Sequence, residues 1–406
     1  MVAGGVACCH FDQASLFPRM SSRRRRRSRS QPSAVGEQRT AGGRPLALGL
    51  KTLVVLLSVA FTILLAEFGV RWSAHGGPLA ALATFYSTEV SYFGHGSAGG
   101  LRGDPVIGFR PDPDAPGFNP LAIHDPAAVP PKQPGIPRML FIGDSITFVI
   151  DQGVPYEKGY VNLLRRQLDG RVEVLNGAVP GYTTHQERLW FERELSGLDS
   201  DIVVLQYCLN DHFEFLHRFD SESGILATEE ARRVFLPEEG DPLGWLPRSS
   251  YLGYRLRIAL LKARDTPQGE YAWDRDIGFR AAWRDDTWQL FRDELSQLKT
   301  AVEERGGKLA LISIPLAAQF DPWAISRDRT YTFKPQRRIA GVASTLGVPL
   351  LELTSLYERN GGYELYMPDG IHLNTRGHLL TARATWLFLS RLGWVSSAPG
   401  AGAPGE

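Results

Sequence analysis

The sequence predicts a three-layer α/β/α sandwich on a parallel five-stranded sheet, carried behind one apolar N-terminal helix. Three observations lead there. Five short, almost continuously apolar runs lie at 139–142, 172–175, 202–207, 309–314 and 350–353, the pattern of strands covered on both faces. Helical periodicity falls between and after them, at 159–168, 185–196, 285–305, 332–346 and 375–392. Strands that alternate with helices join through right-handed crossovers and so form a parallel sheet.

Taken from the N-terminus, residues 1–45 are rich in Arg, Ser, Gly and Gln without apolar periodicity, which predicts a disordered basic tail. The first 51 residues hold ten basic and two acidic residues, leaving 35 basic and 42 acidic in 52–406, a net of −7. The body is mildly acidic and lacks the footprint of a nucleic-acid binder. Residues 46–71 are apolar apart from Lys51, Glu67 and the terminal Arg71. A membrane span needs about 20 such residues, with Lys51 snorkelling to one interface and Glu67, Arg71 and Trp72 anchoring the other. Arginines on one side make the tail cytoplasmic and residues 72–406 extracytoplasmic, a single-pass protein of the cell membrane.

A cleaved signal peptide is the competing reading, because 52–66 carries no charge and fits its apolar core. The nearest small-x-small site, Ala74-His75-Gly76, lies far from that core. Met20 is a second candidate start, which would remove Cys8 and Cys9. Cys208 is then alone in the body, so neither a disulfide framework nor a zinc spacing can be built.

Residues 72–137 read as a Pro/Gly-rich spacer with a hairpin around Val106 to Arg110, ended stiffly by Pro130, Pro131, Pro134 and Pro137. The folded domain is predicted over 138–395, followed by a disordered 396–406. Its clearest helix places Trp288, Phe291, Leu295, Leu298 and Val302 on one face and stops at Gly306-Gly307. An insertion at about 213–284 is too long for an ordinary crossover. Within it, an amphipathic stretch with Leu252, Tyr254, Leu256 and Leu260 either packs on the sheet domain or forms a lid or a basic helix on the membrane surface.

Four turns at strand ends carry the candidate chemistry, since open α/β sheets bind ligands beyond the carboxyl ends of their strands. Gly143-Asp144-Ser145 puts a hydroxyl at the tip of the first, a candidate nucleophile if a base and an oxyanion site exist elsewhere. In the second, Gly181 lets a backbone N–H approach a substrate closely, or the segment is only a turn capped by Thr183 or Thr184. In the third, the Asn210 amide can address an oxyanion, or Asn210-Asp211 makes an Asx turn. In the fourth, Asp369 stands three residues before His372, so a carboxylate could hold the imidazole tautomer while the other ring nitrogen faces Ser145. Asp144 shapes its turn. His212 lines the pocket or stays solvated or capping, His378 packs near the start of the last helix, and Cys208 is a small buried residue. His372 and His378 are six apart, poor for a shared metal, and no His-Glu-x-x-His occurs. No metal or organic cofactor is expected.

Gly143-Asp144-Ser145, Gly181, Asn210 and Asp369-x-x-His372, in this order, resemble the four blocks of the SGNH hydrolases, the GDSL-type lipases and esterases. One position departs: Cys208 stands where the third block usually has Gly two residues before the Asn. The resemblance implies a flavodoxin-like sandwich with Ser145 as nucleophile, His372 as its base and Asp369 orienting the histidine. It also implies an oxyanion hole from the Ser145 and Gly181 N–H groups and the Asn210 side chain. The layout of anchor and Pro-rich spacer looks like the membrane-anchored bacterial branch. The activity implied is serine ester hydrolysis through an acyl-enzyme, on a small acyl ester, a lipid or an acylated glycan. An O-acyltransferase passing the acyl group to an envelope glycan would use the same residues. A silent glycan-binding or scaffold protein would have no need of the intact Ser, His, Asp and Asn set.

Overall fold

A computed structural model describes residues 44–75, 100–114, 128–149, 153–220, 225–228, 250–253 and 269–396, with a few single positions between them. Residues 1–43 of the tail predicted over 1–45, most of 221–268 and residues 397–406 lie outside the described residues, while Arg44 and Pro45 already belong to the first helix. The chain divides into two units, Met1–Val90 with Leu246–Leu256, and Ser91–Trp245 with Arg257–Glu406.

The first unit is built on α1 (Arg44–His75). Within it Gly49–Ser73, 25 residues, is long and apolar enough to cross a membrane. At about 1.5 Å per residue it reaches roughly 38 Å, more than the roughly 30 Å of a hydrocarbon core. Leu53, Phe61 and Leu65 are each more than half exposed, a surface suited to lipid rather than water. Near the helix end Glu67 and Arg71 are buried and paired, Nε to Oε1 at 2.6 Å. Glu67 also accepts from the Ser250 hydroxyl at 2.7 Å and from the backbone N–H groups of Tyr251 and Leu252 at 2.7 and 2.8 Å.

A buried carboxylate is tolerated only when its lone pairs are filled, and here a distant segment fills them. The two residues expected at the membrane interface are thus paired with each other, and Glu67 also with Ser250 to Leu252. Within the amphipathic stretch Leu256 and Leu260 are 52% and 60% exposed, while Ser250, Tyr251 and Leu252 serve Glu67. Tyr254 lies outside the described residues.

The second unit holds the sheet. In chain order its elements are β1 (Leu101–Asp104), β2 (Gly108–Pro111), β3 (Arg138–Ile142), α2 (Ser145–Phe148), α3 (Tyr160–Gln167), β4 (Glu173–Asn176), α4 (Thr184–Trp190) and β5 (Ile202–Tyr207). They continue as β6 (His217–Asp220), β7 (Ile225–Thr228), α5 (Trp288–Glu303), β8 (Lys308–Ser313), α6 (Lys334–Leu346), β9 (Leu350–Glu352) and α7 (Thr375–Arg391). The five-stranded sheet runs β4-β3-β5-β8-β9 with every neighbour parallel, as predicted.

Alternate residues of each strand feed two cores. Leu140, Ile142, Val203 and Leu205 pack with Phe291, Leu295 and Leu298 of α5 and Ile339 of α6. Met139, Phe141, Val204 and Ile312 pack with Tyr160 and Leu164 of α3 and Leu389 of α7. Each such side chain contributes about 1.5–3 kcal/mol on burial, which is why β3 needs no polar face.

The β1–β2 hairpin differs from its expected place in a spacer. Ile107 and Phe109 are fully buried. The Tyr182 hydroxyl donates to the Phe109 carbonyl at 2.7 Å, and Gln186 Nε2 donates to the Ile107 carbonyl at 2.8 Å. Two apolar residues are too few to read as a strand; the partners that bury them lie more than seventy positions further on.

Candidate active site

Strand order decides where the functional turns meet. The chain leaves β3 for β4 on one side and then places β5 on the other. This reversal is a switch point, where open sheets form their crevice. The turn after β3 carries Ser145, and the turns after its two neighbours carry Gly181 and Asn210.

At the first turn Asp144 is buried and its Oδ1 accepts from the Ile146 N–H at 2.9 Å, capping α2 and placing Ser145 at the head of the helix. Burial pushes the Asp144 carboxyl above its usual range, against the hydrogen bond from Ile146, the nearby His372, and side-chain hydrogen bonds from Cys208 and Asn210. Gly181 has φ +76, a region that costs Gly nothing and other residues 1–2 kcal/mol or so. A Cβ there would come within 2.9 Å of His217 Nδ1, and His217 Nδ1 lies 3.3 Å from the Gly181 carbonyl oxygen.

The fourth turn is closed by its own backbone. Met367 N–H donates to the His372 carbonyl at 2.7 Å, and Gly370 at φ +71 turns the chain between them. Asp369 Oδ1 accepts from the N–H groups of Ile371 and His372 at 2.9 and 3.0 Å, while Oδ2 lies 2.7 Å from His372 Nδ1. His372 Nε2 lies 2.9 Å from Ser145 Oγ. Burial alone would raise the Asp369 carboxyl; the hydrogen bonds from His372 and the two backbone N–H groups outweigh it and hold the group below the usual carboxylate range. Asn374 caps α7 through Arg376 and Gly377 N–H at 3.0 and 3.1 Å, tying the turn to the helix behind it.

A hydroxyl, an imidazole and a carboxylate in one hydrogen-bonded line, at the switch point of a parallel sheet, are the parts of an acyl-transfer site. The profile of the GDSL-like lipase/acylhydrolase family matches residues 141–380, from the β3 strand through the Asp369–His372 turn. The chain belongs to this family. It is a serine ester hydrolase. No curated protein sequence matches it. Among solved structures it is similar to TesA, with 17% identity over 63% of this chain and 99% of that one and a TM-score of 0.37. It is also similar to a lipase/acylhydrolase from Enterococcus faecalis, at 16% identity, 65% and 99% coverage and a TM-score of 0.37. Axe2, an acetylxylan esterase from Geobacillus stearothermophilus, shares 17% identity over 64% of this chain and 97% of its own, with a TM-score of 0.35.

Two histidines sit differently from expectation in this hydrolase. His212 neither lines the cavity at Ser145 nor meets solvent: it is 3% exposed, bonded to the Tyr207 hydroxyl at 2.7 Å and set edge-on to Trp288 with centroids 4.4 Å apart. Burial lowers its pKa to about 3, so it stays neutral in the core. His378, expected only to pack, lines the small cavity beside Ser145 together with Val149, Val154 and Met367. None of these three was legible as a site residue, since nothing in local pattern marks an apolar residue as facing a nucleophile. A larger hollow of about 380 Å³ lies beside Pro130, Arg165 and Val174, away from the carboxyl ends of the strands. Cys208 is buried, its thiol pushed well above the ordinary range by burial and by the Asp144 and Asp211 carboxylates, and it plays no nucleophilic part.

Beyond these turns the hydrolase buries Glu187, whose carboxyl is pushed well above its usual range by desolvation and by Asp211 and Asp144. A raised folded pKa means the unfolded chain releases this proton first, so stability falls as pH rises above the ordinary Glu value of about 4.3. Glu187→Gln cannot ionise and is expected to raise the melting temperature more at pH 8 than at pH 5. A gain that does not grow with pH in calorimetry contradicts the protonated state.

Proposed function

We propose that Ser145, His372 and Asp369 act as nucleophile, base and orienting carboxylate in a two-step hydrolysis of acyl esters outside the cytoplasmic membrane. The observation that carries the reading is the unbroken line Asp369 Oδ2–His372 Nδ1–His372 Nε2–Ser145 Oγ, at 2.7 and 2.9 Å. Ser145 Oγ adds to the ester carbonyl carbon as its proton passes to His372 Nε2. The imidazolium then returns that proton to the departing alcohol oxygen, leaving the acyl group on Ser145. Water, deprotonated by His372, attacks the acyl carbon, and the acid leaves as Oγ recovers its proton.

Charge develops on the carbonyl oxygen in both steps. The N–H groups of Ser145 and Gly181 and the Asn210 amide are its donors in this reading, each worth about 3–4 kcal/mol at comparable sites. The extracytoplasmic side follows from the arginine-rich sequence before α1 and the positive-inside rule. In the domain plan that goes with it, 1–45 is a cytoplasmic tail, 46–71 an anchor, and the hydrolase begins near β1 rather than at 138.

The test supplies a p-nitrophenyl ester to the purified full-length protein with and without an envelope glycan. Free acid, released at the same rate in both, is expected, together with a covalent fluorophosphonate adduct at Ser145. Acylated glycan replacing free acid assigns the chain to acyl transfer. Absence of both adduct and turnover refutes the assigned catalytic line.

A further inference from the structure

We propose that Val149 closes an acyl pocket that takes an acetyl group and rejects longer chains, an inference that rests on ester hydrolysis at Ser145. The cavity beside Ser145 measures about 10 Å³, close to the least space that holds one water molecule. A methyl group is little larger than a water molecule and fits such a space, whereas a longer alkyl chain enters only if the walls move. Its walls are the buried side chains of Ile146, Val149, Val154 and Leu373. His378 adds a polar edge that stays uncharged. Its Nδ1 accepts from the Tyr160 N–H at 3.4 Å, its ring stacks on Tyr160, and burial lowers its pKa to about 4. A lining of this kind suits a small alkyl group and not a carboxylate or an ammonium.

Val149 is the wall with a conformational signature. It stands at φ 64 and ψ 76 and, among the described residues, only Asp199 shares positive φ without being Gly. A β-branched residue there is a genuine outlier. Such strain persists only where the surroundings over-determine it, and it gathers at functional sites. Two contacts hold it. The Val149 N–H closes α2 on the Ser145 carbonyl at 3.1 Å, and a Cβ on Gly159 would come within 2.4 Å of Val149 Cγ2. Gly159 thus leaves room for the branched side chain to be wedged beside the cavity. Glycine at 149 would adopt the same backbone without strain and would enlarge the cavity. The valine therefore serves the pocket, not the turn.

The experiment measures kcat/KM of the full-length protein on p-nitrophenyl acetate, butyrate and octanoate for the wild type, Val149→Gly and Val149→Ala. Fluorophosphonate labelling of Ser145 checks that the site is assembled in each. The wild type is expected to favour acetate over octanoate at least a hundredfold. Val149→Gly should cut that ratio tenfold or more, with Val149→Ala between. A wild type that cleaves octanoate as well as acetate overturns the proposal, as does an unmoved ratio in labelled variants. Ethyl and hexyl acetate supply the other arm: a Val149→Gly effect that follows the alcohol places the leaving group in the cavity and also overturns it. Loss of labelling in both variants makes Val149 a folding residue and does the same. A wild type that neither labels nor turns over any ester brings down the hydrolase reading itself, a result distinct from the others.

Discussion

Replacing Ser145 by alanine is expected to lower kcat for ester hydrolysis by on the order of 10⁶, the loss typical when a triad nucleophile is removed. Fluorophosphonate labelling should vanish with it. The fold should not suffer, because Ser145 Oγ bonds only the His372 ring and the cap of α2 is made by Asp144. A melting temperature within about 3 °C of the wild type is therefore expected alongside the lost activity, for losing one partly buried hydroxyl hydrogen bond is worth about 1 kcal/mol. Retained turnover in Ser145→Ala would move the nucleophile elsewhere. Collapse of the fold would mean that the hydroxyl is structural.

Asp369→Asn should cost about 10⁴ in kcat, as when a triad carboxylate is made neutral without changing its shape. The carboxylate does two jobs. Its Oδ1 takes two backbone N–H groups that close the turn, and its Oδ2 holds His372 Nδ1. An asparagine keeps one acceptor oxygen, and the turn needs it for those N–H groups. The amide nitrogen then faces His372 Nδ1, so the imidazole takes the tautomer with its proton on Nε2, the nitrogen that must accept from Ser145. The variant should remain folded and label slowly. Combined with Ser145→Ala it should add little further loss, since residues acting as a unit are not additive. Activity above a tenth of wild type in the single variant would separate Asp369 from the reaction.

The blocks of the site were legible because each is local. Gly143-Asp144-Ser145 follows an apolar run directly, and a short turn after a strand leaves few places for its side chains to go; Asp369-Gly370-Ile371-His372 lies beyond a helix, Thr354–Arg359, after the last strand, and is legible from its own four-residue spacing. The five strands were legible for a related reason: a run buried on both faces is mostly apolar, and β3, β5 and β8 are, with Arg138, Gln206, Lys308 and Ser313 as their polar residues. Strand neighbours were not written in any one run. That Gly181 and Asn210 flank Ser145 depends on β4 and β5 lying on opposite sides of β3, a choice made by the packing of helices on both faces.

What the sequence determined by itself was the fold class, the family and the choice of candidate reactive groups, because these rest on periodicity and on short motifs. Tertiary structure decided the rest. It buried Ile107 and Phe109 under Tyr182 and Gln186, removed His212 into an aromatic core, and gave the Glu67 carboxylate its donors from Ser250 to Leu252. It also set Val149 at positive φ beside the nucleophile, against the preference of a branched residue. In each case the deciding partner lies outside the local window, and burial against a distant segment outweighs local preference. The acyl pocket is the sharpest instance: its volume is what remains after α2, α7 and the His372 turn have packed, and no residue specifies it alone.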